Sequence, residues 1–157
     1  MRIEIRRAKK EDFEAICKDW QDLLRGHEET NKKVFALKTD ALEIYKKYLR
    51  KIMQSQDSAV FVALVDGKMA GHILVHDKAR PPVYEIDRVL HVRDLYVAPQ
   101  FRKKGIGTKL LAASQKWGEE RGLELLRLMV NLDNKPAIKT YESFGFEITA
   151  HRMKKRI

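Results

Sequence analysis

A short basic segment, Arg102–Thr108, has the composition of an anion-binding loop. It follows a strand-like stretch that ends before Pro99, and it leads into a helical pattern that starts near Ile106. The N-terminus of a helix presents backbone N–H groups without partners and carries partial positive charge, so it attracts anions. Three basic residues in the segment add positive charge, and its two glycines lack the Cβ atoms that would hold a phosphate away from the amides. The pattern therefore predicts a site for a pyrophosphate group.

Two common phosphate loops do not match this segment. The P-loop requires G-x-x-x-x-G-K-[ST], which the sequence lacks. The dinucleotide fingerprint requires a third glycine where Leu110 stands, and no acidic residue follows a strand about 20 residues later. The spacing that does match is R-x-x-G-x-G, formed by Arg102, Gly105 and Gly107.

A second group of residues follows the next predicted strand. Asn134 stands before a helical pattern, Ala137 lies three residues later, Tyr141 lies four residues after that, and a Gly-Phe pair closes the helix. Together with the basic loop, this arrangement resembles the GNAT superfamily of acyl-CoA N-acyltransferases, whose pyrophosphate loop reads [RQ]-x-x-G-x-[GA]. The resemblance covers the whole chain, with its motifs between Leu95 and Phe146.

The resemblance implies an N-acetyltransferase that uses acetyl-CoA and needs no metal and no covalent enzyme intermediate. Backbone groups of the strand before the loop would contact the pantetheine arm, and the loop amides would hold the pyrophosphate. Lys139 would reach the phosphorylated ribose, and Tyr141 would lie beside the thioester sulfur and protonate the departing thiolate. The residues implied to bind acetyl-CoA are Leu95, Tyr96, Val97, Arg102, Lys103, Lys104, Gly105, Ile106, Gly107, Thr108, Asn134, Lys139 and Tyr141.

The base that takes a proton from the acceptor amine is not evident. Similar proteins often carry a glutamate on the strand before the loop, but counting back from Leu95 in steps of two leads to Arg93 and His91. His91 is one candidate, because the ordinary pKa of histidine is near 6.5. Asp94 is another, because a β-bulge would turn it inward. The alternatives that stay open are Asp87, Glu85 and a water relay without a dedicated base.

The elements that position these residues follow the order β-α-α-β-β-β-α-β-α-β. Alternating apolar residues indicate the first strand, and apolar residues at helical spacing indicate the helices. Hairpins in the middle of the chain and helical crossovers later predict an α+β fold, with helices packed on a mixed α/β sheet, and residues 26–38 are expected to form a loop. The predicted strands are Arg2–Ala8, Ala59–Val65, Met69–Val75, Tyr84–Val97, Leu125–Val130 and Phe146–His151, and the predicted helices begin at Phe13, near Asp40, at Ile106 and at Pro136.

The composition is that of a single globular domain, residues 1–157. Hydrophobic residues make up 44% of the chain and charged residues 34%, which argues against a disordered tail. Cys17 is the only cysteine, so no internal disulfide is expected, and a cytoplasmic location is the simplest interpretation. The longest near-apolar stretch, Ala59–Val65, is far shorter than the roughly 20 residues that a membrane span requires.

A net charge of +10 indicates an anionic partner. One alternative is a nucleic-acid-binding module, although the sequence lacks helix-turn-helix, zinc-finger and RNP-like signatures. Another is a catalytically inactive relative of the acyltransferases that binds CoA only as a sensor. The resemblance favours acetyl-CoA and an amine acceptor as partners, the acceptor being a small molecule, a peptide N-terminus or a lysine, and it is compatible with a homodimer.

Overall fold

A five-stranded mixed sheet forms the centre of the computed structural model, which describes residues 1–30 and 36–155. Its strands are adjacent in the order of the chain; β1 to β4 run antiparallel, and β5 runs parallel to β4. The strands are β1 Ile3–Arg7, β2 Ser58–Val65, β3 Lys68–Ala79, β4 Arg88–Val97 and β5 Leu126–Arg127. The helices are α1 Phe13–Thr30, α2 Ala41–Gln54, α3 Ile106–Glu119 and α4 Lys135–Phe144, and short 3-10 helices occupy Lys10–Asp12 and Pro99–Phe101.

The two faces of the sheet are covered by different helices, which confirms the predicted α+β class. On one face, α1 and α2 bury residues such as Ile16 and Leu49 against β2 and β3. On the other face, α3 buries Ile106 and Leu110 against the same sheet, and α4 packs beside α3. Cys17 lies in the α1–α2 core, where burial raises its pKa to about 11 and keeps it a thiol. None of the described helices is long and apolar enough to cross a membrane.

Two boundaries differ from the prediction. Helix α1 continues to Thr30, where a loop was expected from residue 26, because no proline interrupts the helical pattern; residues 31–35 of that predicted loop lie outside the described residues. Strand β4 begins at Arg88 rather than Tyr84. Arg80 holds the intervening segment as a loop, because its guanidinium donates to the carbonyl of Ile86 (2.9 Å) and lies over the Tyr84 ring.

The prediction of a last strand at Phe146–His151 is wrong, because the described residues form no strand there. The strand predicted at Leu125–Val130 is present, but it is only two residues long. Gly145 ends α4 with a left-handed φ of 107° and turns Phe146 toward the helix, where its ring lies 5.8 Å from that of Tyr141. The residues from 147 to 155 are exposed. Strand β5 is only two residues long, so it offers few backbone groups with which a further strand could pair. The alternation of apolar and polar residues at 146–151 is therefore not enough to form a strand.

A β-bulge divides β4. Asp94 pairs with Leu74 and Val92 pairs with Val75, so Arg93 is the extra residue. The bulge shifts the alternation of side chains: Val92 and Leu95 both face the core under α3, and the Arg93 guanidinium lies 5.2 Å from the Tyr48 ring of α2 on the opposite face. Counting back from Leu95 in steps of two was therefore wrong, because a bulge breaks the period of two on which that count rests.

Gly71 allows β3 and β4 to approach closely beside the predicted cofactor strand. A Cβ at this position would overlap the backbone oxygen of Tyr96 and lie 3.0 Å from the Cα of Val97. We expect Gly71→Ala to lower the free energy of unfolding by about 3 kcal/mol, measured by urea denaturation. Gly26→Ala in α1 is the control, because a Cβ there meets nothing within 4 Å; it should leave stability unchanged or raise it by up to about 1 kcal/mol. Equal stability of Gly71→Ala and the parent chain would contradict this close approach.

Candidate functional site

Strands β4 and β5 separate soon after they meet. Among the described residues, their ladder consists of two pairs, Leu90 with Leu126 and His91 with Arg127. Strand β4 continues to Val97, whereas β5 ends at Arg127. In the part of the chain that the structure describes, no strand pairs beyond His91 with the edge of β4 that faces away from β3, so an extended ligand can approach that edge.

A cavity of about 330 Å³ lies at the open end of β4. Its wall combines the second half of α1, the end of β4, the loop after β4 and the segment that leads into α4. This volume is at the lower end of the range for small-molecule sites, about 300 Å³ to 1,000 Å³. The lining residues are Asp22, Leu23, Gly26, Tyr96, Arg102, Asn131, Asp133 and Asn134.

The loop after β4 is fastened at its start to the sheet. The Ala98 amide donates to the carbonyl of Ala70 (2.9 Å), and Arg102 Nε donates to the carbonyl of Val97 (2.9 Å). Lys103 and Gly105 then adopt left-handed conformations, with φ of 59° and 72°. Left-handed residues alternating with right-handed ones are typical of concave nests of backbone N–H groups that bind anions.

Helix α3 begins directly from this loop, as the sequence predicts. Gly105 is its N-cap, and Lys109 donates the first helical hydrogen bond to the Gly105 carbonyl (3.0 Å). The amides of the first turn point out of the helix end, where the helix dipole is positive. Ile106 is buried under the sheet and fixes the direction of the helix, while the basic side chains of the loop are exposed.

Gly107 leaves open space in front of the loop amides. A Cβ built there would meet only the Val97 side chain, at 4.0 Å, which is an ordinary van der Waals contact. The protein itself therefore does not require glycine at this position, whereas the left-handed φ of Gly105 does favour glycine.

The residues of the second motif belong to α4. Asn134 is its N-cap, because Oδ1 accepts a hydrogen bond from the Ala137 amide (3.3 Å), and Asn134 also lines the cavity. Lys139 is exposed. Tyr141 packs on the core under α3 and α4, and burial raises its pKa, so its hydroxyl stays protonated near neutral pH. The structure thus places Tyr141 on the α4 side of the sheet.

The two predicted base candidates have different surroundings. His91 pairs with His76 of β3 and with Arg127 of β5. Its pKa is lowered by burial first and then by nearby cations, of which Arg127 is the strongest, so the imidazolium form is disfavoured there. Asp94 is half-buried on the α2 side of the sheet, close enough to Tyr45 to help raise the pKa of that phenol.

The sequence did not single out Asp22, which lines the cavity from α1. It lies close to the Tyr96 phenol, whose pKa is raised by burial first and then by the charges of Asp22 and Asp19. Asp19, one turn earlier, is buried with Oδ2 at 3.3 Å from Nδ1 of His72. The available signal was two aspartates three residues apart, a spacing that places both on one face of a helix.

The residues that the structure describes contain no group of three or more histidine, cysteine, aspartate and glutamate side chains placed to hold a metal ion.

Comparisons with known proteins agree with this arrangement. A model of the Acetyltransferase (GNAT) family matches residues 14–146. An uncharacterized N-acetyltransferase of Archaeoglobus fulgidus is 29% identical over 141 residues, which are 90% of each chain. An aminoglycoside N(6')-acetyltransferase type 1 of Salmonella typhimurium is 29% identical over 101 residues, 62% of this chain and 68% of that protein. The solved structure of AAC(6')-Iy in complex with a CoA-containing bisubstrate analog superposes with a TM-score of 0.80 at 23% identity, covering 100% of this chain and 99% of that one.

Replacing each of the two loop glycines by alanine should change the free energy of unfolding by different amounts. Gly105→Ala should lower the free energy of unfolding by about 1 kcal/mol, because an L-residue is strained at φ of 72°. Gly107→Ala should have no cost or a gain of up to about 1 kcal/mol, because its Cβ has room and alanine favours helix. Thermal and urea denaturation of both variants would check this difference, and an equal loss at both positions would contradict it.

Proposed function

The chain belongs to the GNAT family of acetyltransferases and is an N-acetyltransferase, and from that premise we propose that it transfers the acetyl group of acetyl-CoA to a primary amine within a single domain, residues 1–157. The observation that carries the proposal is the continuity of two features: the open edge of β4 leads directly into the basic loop that starts α3. An extended ligand with a pyrophosphate at one end fits this geometry. AAC(6')-Iy, which shares the fold, has been solved in complex with CoA.

The proposed contacts with acetyl-CoA follow from this geometry. The loop amides from Lys103 through Thr108, with Arg102, Lys103 and Lys104 around them, hold the pyrophosphate, since all three side chains are exposed beside the amides. The backbone of Leu95–Val97 binds the pantetheine arm along the open edge of β4. Asn134 contacts the same arm from the opposite wall, and Lys139 reaches the ribose phosphate.

Acetyl-CoA supplies an activated carbonyl and a sulfur leaving group. A backbone N–H of Leu95–Val97 donates to the carbonyl oxygen as negative charge develops on it. Tyr141 donates its hydroxyl hydrogen toward the sulfur as the C–S bond breaks. A phenol is a weaker acid than a thiol in water, with pKa values of about 10 and 8.5, so this donation depends on the charge that the sulfur gains. The ammonium loses two protons as the amide forms: one goes to a base, and the other restores the hydroxyl of Tyr141.

We propose Asp94 rather than His91 as the group that receives the amine proton through water. Asp94 lies on β4 two residues before Tyr96, on the side of the sheet that faces α1 and α2. Burial disfavours a positive charge on the His91 ring, and the charges of nearby Arg127 and Arg93 disfavour it further.

Titration calorimetry tests the cofactor. We expect CoA to bind with a dissociation constant in the micromolar range, and pantetheine, which lacks the pyrophosphate, to bind far more weakly because it cannot contact the loop. Rising salt should weaken the binding of CoA more than that of pantetheine. The absence of CoA binding at tens of micromolar would overturn the proposed function, and equal binding of the two compounds would contradict the role of the loop.

Tyr141→Phe tests the proton donor. The variant keeps the ring that packs on Phe146, so the fold and the affinity for CoA should be unchanged. We expect kcat near neutral pH to fall about 100-fold, within the usual range for the loss of a general acid. Release of the CoA thiol with a panel of amines is the measurement. A chain that binds CoA but acetylates none of these amines would be a CoA sensor, and an unchanged kcat would show that Tyr141 is not the donor.

A further inference from the structure

We propose that Asp22 binds a second ammonium group of the acceptor, so that the cavity selects amines that carry more than one positive charge. The inference rests on the proposed acetyl transfer and names the class of acceptor. The observation that supports it is that Asp22 on α1 and the buried Tyr96 on β4 lie close together and line the same cavity.

Asp22 is held in position and still accessible. Its carboxylate lies beside the Tyr96 phenol in the cavity wall; Tyr96 is 5% exposed, while the Asp22 side chain is 37% exposed. Oδ1 also lies 3.5 Å from Nη1 of Arg25, a side chain that is 71% exposed. An ion pair this loose and this exposed contributes little, so an ammonium group can replace it.

The surroundings of Asp22 favour a hydrogen-bond donor that carries positive charge. Directly across the β3–β4 ladder from Tyr96 lies His72, which has no exposed surface. Its Nδ1 faces Asp19 at 3.3 Å, and its Nε2 is buried without a hydrogen-bond partner among the described residues. His72 and Asp19 lie behind the cavity wall and do not line it, so the carboxylate that α1 offers to a ligand is that of Asp22. An ammonium group, which has three donors and no acceptor, complements it.

Arg102 also lines the cavity, with Nε donating to the carbonyl of Val97, at the start of the basic loop proposed to hold the pyrophosphate. A molecule that bears cations is repelled by Arg102 and attracted by Asp22, which favours placing one ammonium on Asp22.

The ammonium on Asp22 differs from the nitrogen that is acetylated. A carboxylate raises the pKa of an adjacent amine and keeps it charged, whereas the attacking nitrogen must be neutral. The reacting nitrogen approaches the backbone of Leu95–Val97, and the Tyr96 side chain separates that backbone from Asp22. The length of a tyrosine side chain is similar to the distance between the nitrogens of a four-carbon diamine, so one molecule can occupy both positions.

Three probes of the same chain length test this inference. They are 1,4-diaminobutane, which has a second ammonium, n-butylamine, which has a methyl group at that end, and 4-aminobutanoate, which has a carboxylate. Each is titrated calorimetrically into the chain, both free and saturated with CoA, and each is also assayed for release of the CoA thiol. We expect 1,4-diaminobutane to bind at least tenfold more tightly than n-butylamine, as a charge-assisted hydrogen bond allows, and 4-aminobutanoate to bind most weakly.

Asp22→Asn should remove most of the advantage of the diamine and leave the affinity for n-butylamine and CoA within about threefold of the parent, because asparagine keeps the shape of the aspartate side chain and removes only its charge. Asp133→Asn is the matched control: it removes the same charge from another wall of the cavity and should change the diamine affinity less than threefold. Equal binding of the diamine and n-butylamine to the parent chain, or an equal loss in both variants, would overturn the inference. Failure of the proposed function looks different, because the diamine would then bind without being acetylated, or CoA would not bind.

Discussion

The early separation of β4 and β5 is the constraint on which the site depends. A strand edge inside a folded domain needs partners for its backbone N–H and C=O groups, and the described β5 supplies them at only two ladder pairs. Near the end of β4, Tyr96 lines a cavity, and the loop after the strand leads to the N-terminus of α3. The domain therefore has an incomplete sheet at this place, and an extended ligand can complete it by hydrogen bonding along the strand.

The bulge at Arg93 determines which chemistry faces which side of this opening. After the bulge, Leu95 packs under α3 with the apolar core, while Asp94 and Tyr96 face α1 and α2. Asp94 and Tyr96, together with His72 of the neighbouring strand, place polar groups on the side of the sheet that faces α1 and α2. Without the extra residue, the alternation would be reversed on one side of position 93, and apolar and polar residues would exchange faces.

The basic residues of the chain lie in two different kinds of surroundings. Some of them surround the loop amides at the start of α3, where no acidic residue stands between Gln100 and Leu110. Several other arginines lie over aromatic rings: Arg50 lies over Phe13 at 4.9 Å, and Arg121 lies over Trp117 at 4.6 Å while also pairing with Asp57 and Asp77. These arginines stabilise the surface through contacts with their guanidinium planes, so they do not require a nucleic acid to explain them.

Several features could be predicted because they depend on local spacing. The N-terminus of α3, the position of Asn134 before α4 and the α+β class follow from patterns within one turn or one strand, because glycine, capping residues and apolar periodicity act over a few residues. Only the tertiary structure decided the face of Asp94, the place of Asp22 beside Tyr96 and the absence of a strand at 146–151 in the described chain. Each of these depends on a contact between segments far apart in sequence. The face of Asp94 depends on the register between β4 and β3, and the place of Asp22 depends on the packing of α1 against the sheet. A last strand would need a pairing edge that the two-residue β5 does not provide. Spacing within a segment carries no information about such contacts.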